Sequence, residues 1–210
     1  TGGLVGMNLG SIENSRSLTT VTASGPTSGG LVGSNGDSDT ASATISHSFA
    51  ASPLITSRDH SSAGNSGGLV GTNYGTVSDS YSTDTRIESE RPNTGGLVGY
   101  NQVSGVIERS YTASSVTVHG NHSVGGLVGI NWGEITQSYS LAGSAEATVN
   151  RAGGLVGFNR KDSRISETYS MTKVIAPENA GGLIGENEPG GSVERSFWDT
   201  QRSGQDTSAG

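Results

Sequence analysis

The sequence contains seven copies of one seven-residue pattern, Gly-Gly-Leu-Val/Ile-Gly-x-Asn. The copies begin at Gly2, Gly29, Gly67, Gly95, Gly125, Gly153 and Gly181. Successive starts lie 27, 38, 28, 30, 28 and 28 residues apart. A period of this size is typical of stacked repeat architectures, in which each unit packs only against its neighbours. We therefore expect the constant residues to build the stack and the variable residues to carry the function.

A second constant element follows each copy after a short polar turn. It consists of a β-branched residue, two polar residues, a hydroxyl residue and, in six of seven copies, an aromatic residue. The β-branched positions are Ile12, Ile45, Val77, Ile107, Ile135, Ile165 and Val193. The aromatic positions are Phe49, Tyr81, Tyr111, Tyr139, Tyr169 and Phe197, and Arg16 replaces the aromatic in the first copy.

The rest of each period is a looser segment in which β-branched and polar residues alternate, as in Val116-Thr117-Val118-His119. Such alternation is typical of strands, and no segment has an apolar stripe at helical spacing. The sequence therefore predicts an all-β fold, a right-handed parallel β-solenoid of about seven coils of ~28 residues, with three short strands per coil. We expect the solenoid to span residues 1–200 and residues 201–210 to form a polar, linker-like tail.

Stacking places like residues above like residues at the spacing of adjacent strands, ~4.8 Å. Repeated asparagines can then form a ladder in which each side-chain amide bonds the next. The asparagines at the end of the seven-residue pattern are the candidates for this structural ladder: Asn8, Asn35, Asn73, Asn101, Asn131, Asn159 and Asn187.

Side-chain direction within the pattern follows from the alternation of a strand. If the strand includes the leucine, then Leu and Asn face the interior, and the valine and the residue before Asn face solvent. The glycine between Leu and Asn would leave a void that the aromatic of the second element could cover. In that second element, a bend between the β-branched residue and the hydroxyl would keep polar residues such as Gln137 out of the core.

Composition excludes several classes of protein. Only 30% of the residues are hydrophobic and 34 of 210 are glycine, which a narrow solenoid core tolerates better than a globular one. The formal net charge of −7 argues against a nucleic-acid partner. No apolar run is long enough to cross a membrane, and no signal peptide opens the sequence. The chain has no cysteine, starts directly on a repeat and resembles a piece of a longer protein.

The Gly-Gly-Leu-Val-Gly-x-Asn unit followed by Ile-x-x-Ser-Tyr-Ser resembles the GLUG-motif repeat, and the closing Ser196–Gln205 segment is similar to the end of such arrays. This resemblance covers nearly the whole chain. It implies a large bacterial surface or secreted protein, either a filamentous-haemagglutinin-like adhesin or the N-terminal region of an immunoglobulin-A-cleaving metalloprotease. The resemblance supplies no catalytic residues for the repeat itself.

No catalytic, cofactor or metal site is expected. Gly64-Asn65-Ser66-Gly67-Gly68 matches the Gly-x-Ser-x-Gly pattern of nucleophilic serines, but two of its glycines belong to the repeat. The sequence contains no His-Glu-x-x-His motif, and His119 and His122 have no neighbouring cysteine or carboxylate. Asp37-Ser38-Asp39 could bind calcium, and this alternative stays open.

The second repeat is about ten residues longer than the others. Ten residues separate Asn35 from Ile45, and a further excess before Gly67 includes Arg58, Asp59 and His60. Insertions in solenoids map to surface loops. We therefore expect residues 36–44 to protrude and a deletion of residues 36–40 to be tolerated.

Variable residues on the outward side of the repeat strand are the candidate contact surface. Tyr74, Tyr100, Trp132 and Phe158 fall there, and the same parity places Ile130, Val70, Val98, Val128 and Val156 beside them. Exposed apolar stripes of this kind usually have a partner. The partner could be a glycan, a host or bacterial surface protein, or a neighbouring domain, unless loops of the chain itself cover the stripe.

The sequence thus predicts a non-catalytic module of a bacterial cell-surface or secreted adhesin that acts as a rigid stalk or display surface. The alternative is a carbohydrate-binding or carbohydrate-processing β-solenoid.

Overall fold

A computed structural model describes residues 1–58 and 64–210, and it is a parallel β-solenoid with almost no helix. Its described strands are two to four residues long and form five sheets that run along the solenoid axis. Six full turns are followed by the first three strands of a seventh. The prediction of an all-β parallel solenoid is confirmed.

The strands are numbered β1–β33 along the chain and the sheets 1–5 in the order in which the chain visits them. Sheet 1 contains β1 Val5–Asn8, β6 Val32–Asn35, β11 Val70–Asn73, β16 Val98–Asn101, β21 Val128–Asn131, β26 Val156–Asn159 and β31 Ile184–Asn187. Sheet 2 contains β2 Ser11–Glu13, β7 Thr44–Ser46, β12 Thr76–Ser78, β17 Val106–Glu108, β22 Glu134–Thr136, β27 Arg164–Ser166 and β32 Ser192–Glu194. Sheet 3 contains β3 Arg16–Ser17, β8 Phe49–Ala50, β13 Tyr81–Ser82, β18 Tyr111–Thr112, β23 Tyr139–Ser140, β28 Tyr169–Ser170 and β33 Phe197–Trp198.

Sheets 4 and 5 have six strands each. Sheet 4 contains β4 Val21–Ala23, β9 Ile55–Ser57, β14 Arg86–Ser89, β19 Thr117–Gly120, β24 Ser144–Ala147 and β29 Lys173–Ile175. Sheet 5 contains β5 Thr27–Gly29, β10 Asn65–Gly67, β15 Asn93–Gly95, β20 Ser123–Gly125, β25 Arg151–Gly153 and β30 Ala180–Gly181. One helical turn, α1 Thr200–Ser203, follows the last strand.

A complete coil therefore has five strands, and the expected three were too few. The second constant element supplies two strands because a residue with positive φ bends the chain between sheets 2 and 3. Residues at this bend have φ between 46° and 55°: Asn14, His47, Asp79, Arg109, Gln137, Glu167 and Arg195. The expected bend before the hydroxyl residue is thus present. The loose segment also divides in two, between sheets 4 and 5.

The main core is a column of leucines from the bend before sheet 1 and of valines and isoleucines from sheets 1 and 2. The leucines of the second to seventh repeats are at most 3% exposed, and Val70, Val98, Val128 and Val156 are fully buried. The prediction that these valines face solvent was wrong. The leucine lies in the bend between sheets 5 and 1 rather than in the strand, so alternation cannot be counted from it. A second core column lies under sheet 4 and includes Ile87, Val118 and Ala145.

The repeat glycines lie where backbone meets backbone. A β-carbon at Gly153 would overlap the carbonyl oxygen of Val156 in the same coil, and one at Gly154 would overlap that of Gly182 in the next coil. At Gly157 a β-carbon would lie 2.6 Å from the amide nitrogen of Val124. Only glycine allows sheets 5 and 1 to fold back this closely, since any side chain would force the coils apart.

The aromatic of the second element faces outward, so the prediction that it covers a void at the glycine between Leu and Asn was wrong. Backbone fills that space, since a β-carbon at Gly99 would lie 2.6 Å from the amide nitrogen of Ser66 and 2.7 Å from the carbonyl oxygen of Gly71. The residue after the aromatic faces inward and packs on the second glycine of the pattern: a β-carbon at Gly68 would meet Ser82, one at Gly96 would meet Thr112, and one at Gly154 would meet Ser170.

The repeat asparagines form one continuous ladder. Each Nδ2 donates to the Oδ1 of the asparagine in the next coil, over 2.7–2.9 Å, from Asn8 to Asn187. The same amides also donate to carbonyl oxygens at the bend towards sheet 2, such as Gly75 (2.9 Å) and Gly105 (3.0 Å). The ladder therefore satisfies buried backbone groups as well as joining the coils.

A ladder of hydroxyls stabilises the bend between sheets 2 and 3. The backbone N–H of Ser80 donates to Oγ of Ser110 (3.2 Å), and that of Ser110 donates to Oγ of Ser138 (3.1 Å). Each hydroxyl in turn donates to a carbonyl two residues earlier, as Ser110 does to Glu108 (2.8 Å). These bonds pair backbone groups at a bend where the regular ladder is interrupted.

The last residues pack on the seventh repeat. The backbone N–H of Ile184 donates to Oγ of Ser208 (2.8 Å), and that of Gly182 donates to the carbonyl of Thr207 (3.0 Å). The indole of Trp198 donates to the carbonyl of Gln205 (3.0 Å). Polar composition is typical of a linker, yet here the polar groups pair with the backbone of the last coil.

The long insertion after Asn35 is a surface loop over most of its length. Residues 37–42 are exposed or half-buried, and Asp37 accepts hydrogen bonds from the backbone N–H groups of Asp39 (3.0 Å) and Thr40 (2.7 Å). Gly36 is buried and its N–H donates to the carbonyl of Asn8 (2.8 Å), so it belongs to the coil. The second long segment of this repeat precedes Gly67. Its residues Asp59 and His60 lie outside the described part of the chain.

Replacing Asn131 with leucine is expected to lower the free energy of unfolding by about 1–3 kcal/mol. The substitution removes the amide bonds from Asn131 to Asn101 and Asn159, which are both fully buried, and it takes away the Oδ1 acceptor of the backbone N–H of Gly133. Asn187→Leu is the matched control, because Asn187 is half-buried at the end of the ladder and should cost less. Chemical denaturation measures both; equal stability of wild type and Asn131→Leu would contradict a structural ladder.

Deletion of residues 37–42 is expected to leave the fold intact. The shortened turn Asn35-Gly36-Ala43-Thr44 then matches Asn73-Tyr74-Gly75-Thr76 of the next coil, where two residues join sheets 1 and 2. Circular dichroism and thermal melting measure the result. Deletion of residues 43–46, which removes β7, is the control and should unfold the protein. Loss of the β-sheet spectrum after the loop deletion alone would show that the loop is part of the core.

Candidate ligand-binding groove

An open groove of about 440 Å³ runs along the side of the solenoid, between the start of sheet 5 and the end of sheet 1. Its wall contains Tyr74, Tyr100, Ile130, Trp132 and Arg160. Thr72 and Gln102 belong to the same wall on sheet 1, and Thr27, Asn65 and Asn93, beside Pro26, form a polar lip at the start of sheet 5. The structure therefore brings three of the four predicted contact residues into one site.

Two columns of the repeat supply the wall. Tyr100 and Ile130 occupy the position before the repeat asparagine, and Tyr74 and Trp132 occupy the position after it. The second column is held by the backbone, since the N–H of Tyr74 donates to the carbonyl of Asn35 and that of Trp132 to the carbonyl of Asn101 (2.8 and 2.9 Å). Each side chain is half-buried, so it is fixed at its base and open to solvent.

The polar lip is formed by a short amide ladder. Nδ2 of Asn93 donates to Oδ1 of Asn65 (2.8 Å), and Nδ2 of Asn65 donates to Oγ1 of Thr72 (2.9 Å). These bonds orient the two asparagines on adjacent coils. Each amide offers both a donor and an acceptor, so the lip can bind groups that do the same.

Phe158, the fourth predicted contact residue, is 6% exposed and does not line the groove. Two guanidinium groups cover it: Arg151 lies 4.2 Å and Arg160 lies 4.9 Å from the ring centroid. Arg160 also lies 4.3 Å from the ring centroid of Trp132. The expectation that Phe158 is an outward contact residue is therefore corrected, because cation–π packing buries it.

The groove carries little net charge. Arg160 lies 3.0 Å from a carboxylate oxygen of Glu188, and Arg151 lies 3.2 Å from one of Glu186. Arg160 is the only lining residue with a permanent charge among the described residues. Burial raises the pKa of Tyr100 above its usual value, against a smaller lowering by the charge of Arg160. The Tyr100 hydroxyl is therefore neutral at physiological pH and can both donate and accept.

Sequence reasoning missed a second aromatic surface, on the outside of sheet 3. Phe49, Tyr81, Tyr111 and Tyr139 stack with ring centroids 4.9–5.0 Å apart and planes within 8° of parallel. Tyr139 and Tyr169 are 37% and 36% exposed. The available signal is the aromatic residue that recurs at one position of the repeat. The sequence prediction places these rings in the interior, beside the repeat glycine, and so overlooks an outer surface. Because the rings stack on one another, they show mainly their edges to solvent.

The serine and histidine candidates Ser66, His119 and His122 do not line the groove. Ser66 is fully buried, and its hydroxyl bonds those of Ser28, Ser57 and Ser89 over 2.9–3.0 Å. Nδ1 of His119 lies 3.7 Å from Glu146, on the exposed face of sheet 4. Within residues 1–58 and 64–210, no three His, Asp or Glu side chains are arranged to hold a metal ion. In the same part of the chain, no helix has the length and apolarity to cross a membrane.

Residues 120–150 match the family model of the GLUG motif. This span holds the fifth copy of the seven-residue pattern and its second element, so the chain contains a GLUG-repeat region. Among curated proteins and solved structures, none matches the chain significantly.

Replacing Arg160 with glutamine is expected to destabilise the protein by about 1 kcal/mol and to expose Trp132. The change removes a guanidinium that packs on Trp132 and Phe158 and pairs with Glu188. Thermal melting and acrylamide quenching of tryptophan fluorescence measure the two effects. Arg164→Gln is the control, since Arg164 is half-exposed and 3.7–4.0 Å from its carboxylate partners. Unchanged quenching in Arg160→Gln would contradict the packing described here.

Proposed function

We propose that this GLUG-repeat solenoid is a non-catalytic module of a bacterial cell-surface or secreted adhesin. It acts as a rigid rod that displays the groove beside sheets 5 and 1 to a surface ligand. The single observation that carries the proposal is the groove itself: aromatic side chains and oriented amides converge on an open site in a rigid repeat lattice.

Rigidity supports the display role. The asparagine ladder joins all seven repeats, and strand pairing joins the six full coils along five sheets and the partial seventh along three. Side chains on such a lattice keep their spacing, so less ordering entropy is lost when a ligand binds. A stiff rod also holds its binding surface at a distance from the cell surface or the protein domain to which it is attached.

The exposed chemistry of the groove supports binding rather than turnover. Among the described residues, its lining contains no carboxylate and no histidine, and the one cation there is stacked on two aromatic rings. Hydrolysis of glycosidic bonds usually requires two carboxyl groups at a defined separation. A binding function needs only the aromatic wall and the amide lip.

Beads coated with the protein are expected to adhere to bacterial or epithelial cells, and adhesion should fall strongly in the Tyr100→Ala, Trp132→Ala double variant. Removing both rings deletes most of the apolar wall, and aromatic residues commonly dominate binding energy. Flow adhesion counts measure the effect. Tyr111→Ala, on the outer face of sheet 3, is the matched control and should adhere as wild type does.

Circular dichroism must show that the double variant remains folded. Adhesion that is lost equally in Tyr111→Ala would place the contact elsewhere. Absence of adhesion by the wild-type protein to every cell type tested would overturn the display role.

A further inference from the structure

We infer that the ligand of the groove is an uncharged polysaccharide whose chain lies along the solenoid axis. This inference rests on the proposed display function and adds to it the chemical class of the ligand. It follows from how the wall, the lip and the charge of the groove combine.

The two sides of the groove match the two kinds of surface on a sugar ring. Tyr100 and Ile130 present apolar surface, which packs against the C–H groups of a pyranose. Asn65 and Asn93 present amides, each with donors and an acceptor. A sugar hydroxyl also both donates and accepts, so it can pair with the second N–H and the second oxygen lone pair that each amide keeps beyond the bonds within the lip.

The direction of the ligand follows from the repeat. Tyr74, Gln102, Trp132 and Arg160 occupy one position on four consecutive coils, so this column extends about 14 Å along the axis at ~4.8 Å per coil. The amides of Asn65 and Asn93 repeat at the same spacing across the groove. A linear polymer fits such a site, because side-chain positions recur along the axis at a fixed spacing even though the residue type changes from coil to coil.

Charge separates this class from acidic glycans. Within residues 1–58 and 64–210, Arg160 is the one cation of the lining, and it is paired with Glu188 and packed on Trp132 and Phe158. The chain as a whole has a formal net charge of −7. A uronate or sulfate would therefore approach a negative protein and find its only local cation already occupied.

Extended peptides are disfavoured by the sheet topology. Peptides that join a sheet need an unpaired strand edge. The groove strands β11 and β16 are each paired on both sides, as is β10 of sheet 5. The groove offers side chains only, which suits a ligand recognised through hydroxyl groups.

Affinity electrophoresis tests the inference with dextran, galactomannan and laminarin as neutral probes and with alginate and heparin as acidic probes. At least one neutral polysaccharide should retard the wild-type protein, and high salt should not abolish the retardation. Tyr100→Ala and Asn93→Ala should weaken binding about tenfold, the effect of losing one strong contact. Tyr100→Phe should bind better than Tyr100→Ala, since it keeps the ring.

Two matched controls should bind as wild type does. Tyr111→Ala removes an aromatic outside the groove, and Asn121→Ala removes a surface amide that bonds the carbonyl of Glu90. Thermal melts of all variants separate loss of binding from loss of folding.

Binding of acidic probes alone, retention of neutral binding in both groove variants, or no retardation by any probe would each overturn the inference. Groove-dependent cell adhesion without polysaccharide binding would overturn only the ligand class and leave the display role standing. Polysaccharide binding without adhesion to any cell would overturn the display role and leave the ligand class. Release of reducing ends from a bound probe would overturn the non-catalytic character itself.

Discussion

The whole structure depends on backbone packing that only glycine permits. Sheets 5 and 1 meet through the bend at Gly-Gly-Leu, where a β-carbon at Gly153 or Gly154 would overlap a carbonyl oxygen. This close approach lets each coil lie flat on the next, so that strands pair in register at five places per turn. The leucine, asparagine and hydroxyl ladders all require that registration, because each joins a residue to its equivalent one coil away.

In-register stacking also explains how a chain that is only 30% hydrophobic forms a stable core. Buried polar groups are costly unless they are paired, and here most repeat asparagines and serines are buried and paired with their own copies. Because each ladder residue bonds its equivalent in the next coil, polar side chains can fill the interior and stabilise one another. A single substitution in the ladder therefore breaks the amide bonds to both neighbouring coils at once.

The same lattice produces the outer surfaces, and the two aromatic surfaces differ in their chemistry. On sheet 3 the rings of Tyr81 and Tyr111 cover each other, which stabilises the stack but leaves little open ring surface. In the groove, the residue type changes from coil to coil, so Tyr100 is followed by Ile130 and Tyr74 by Gln102. Variation between repeats thus creates a mixed site where strict repetition would have made another ladder.

The sequence by itself determined the stacked architecture, because a fixed period with Gly, Leu and Asn at the same places has few other physical solutions. It also allowed the asparagine ladder and the grouping of Tyr74, Tyr100 and Trp132 to be predicted, since residues at one repeat position must share one column. The tertiary structure decided which way side chains point. Bends at the repeat leucine and at residues such as Gln137 reset the alternation of the strands, and so placed Val98 inside and Tyr111 outside.

Only the tertiary structure could decide which side chains cover or pair with groups from other columns of the repeat. Arg151 and Arg160 bury Phe158, Asn65 and Asn93 face the aromatic wall across the groove, and Ser208 pairs with the last coil. These contacts join residues from different columns of the repeat. Periodicity fixes the order within a column, but the distance between columns depends on the angles at five bends, which the sequence pattern does not specify.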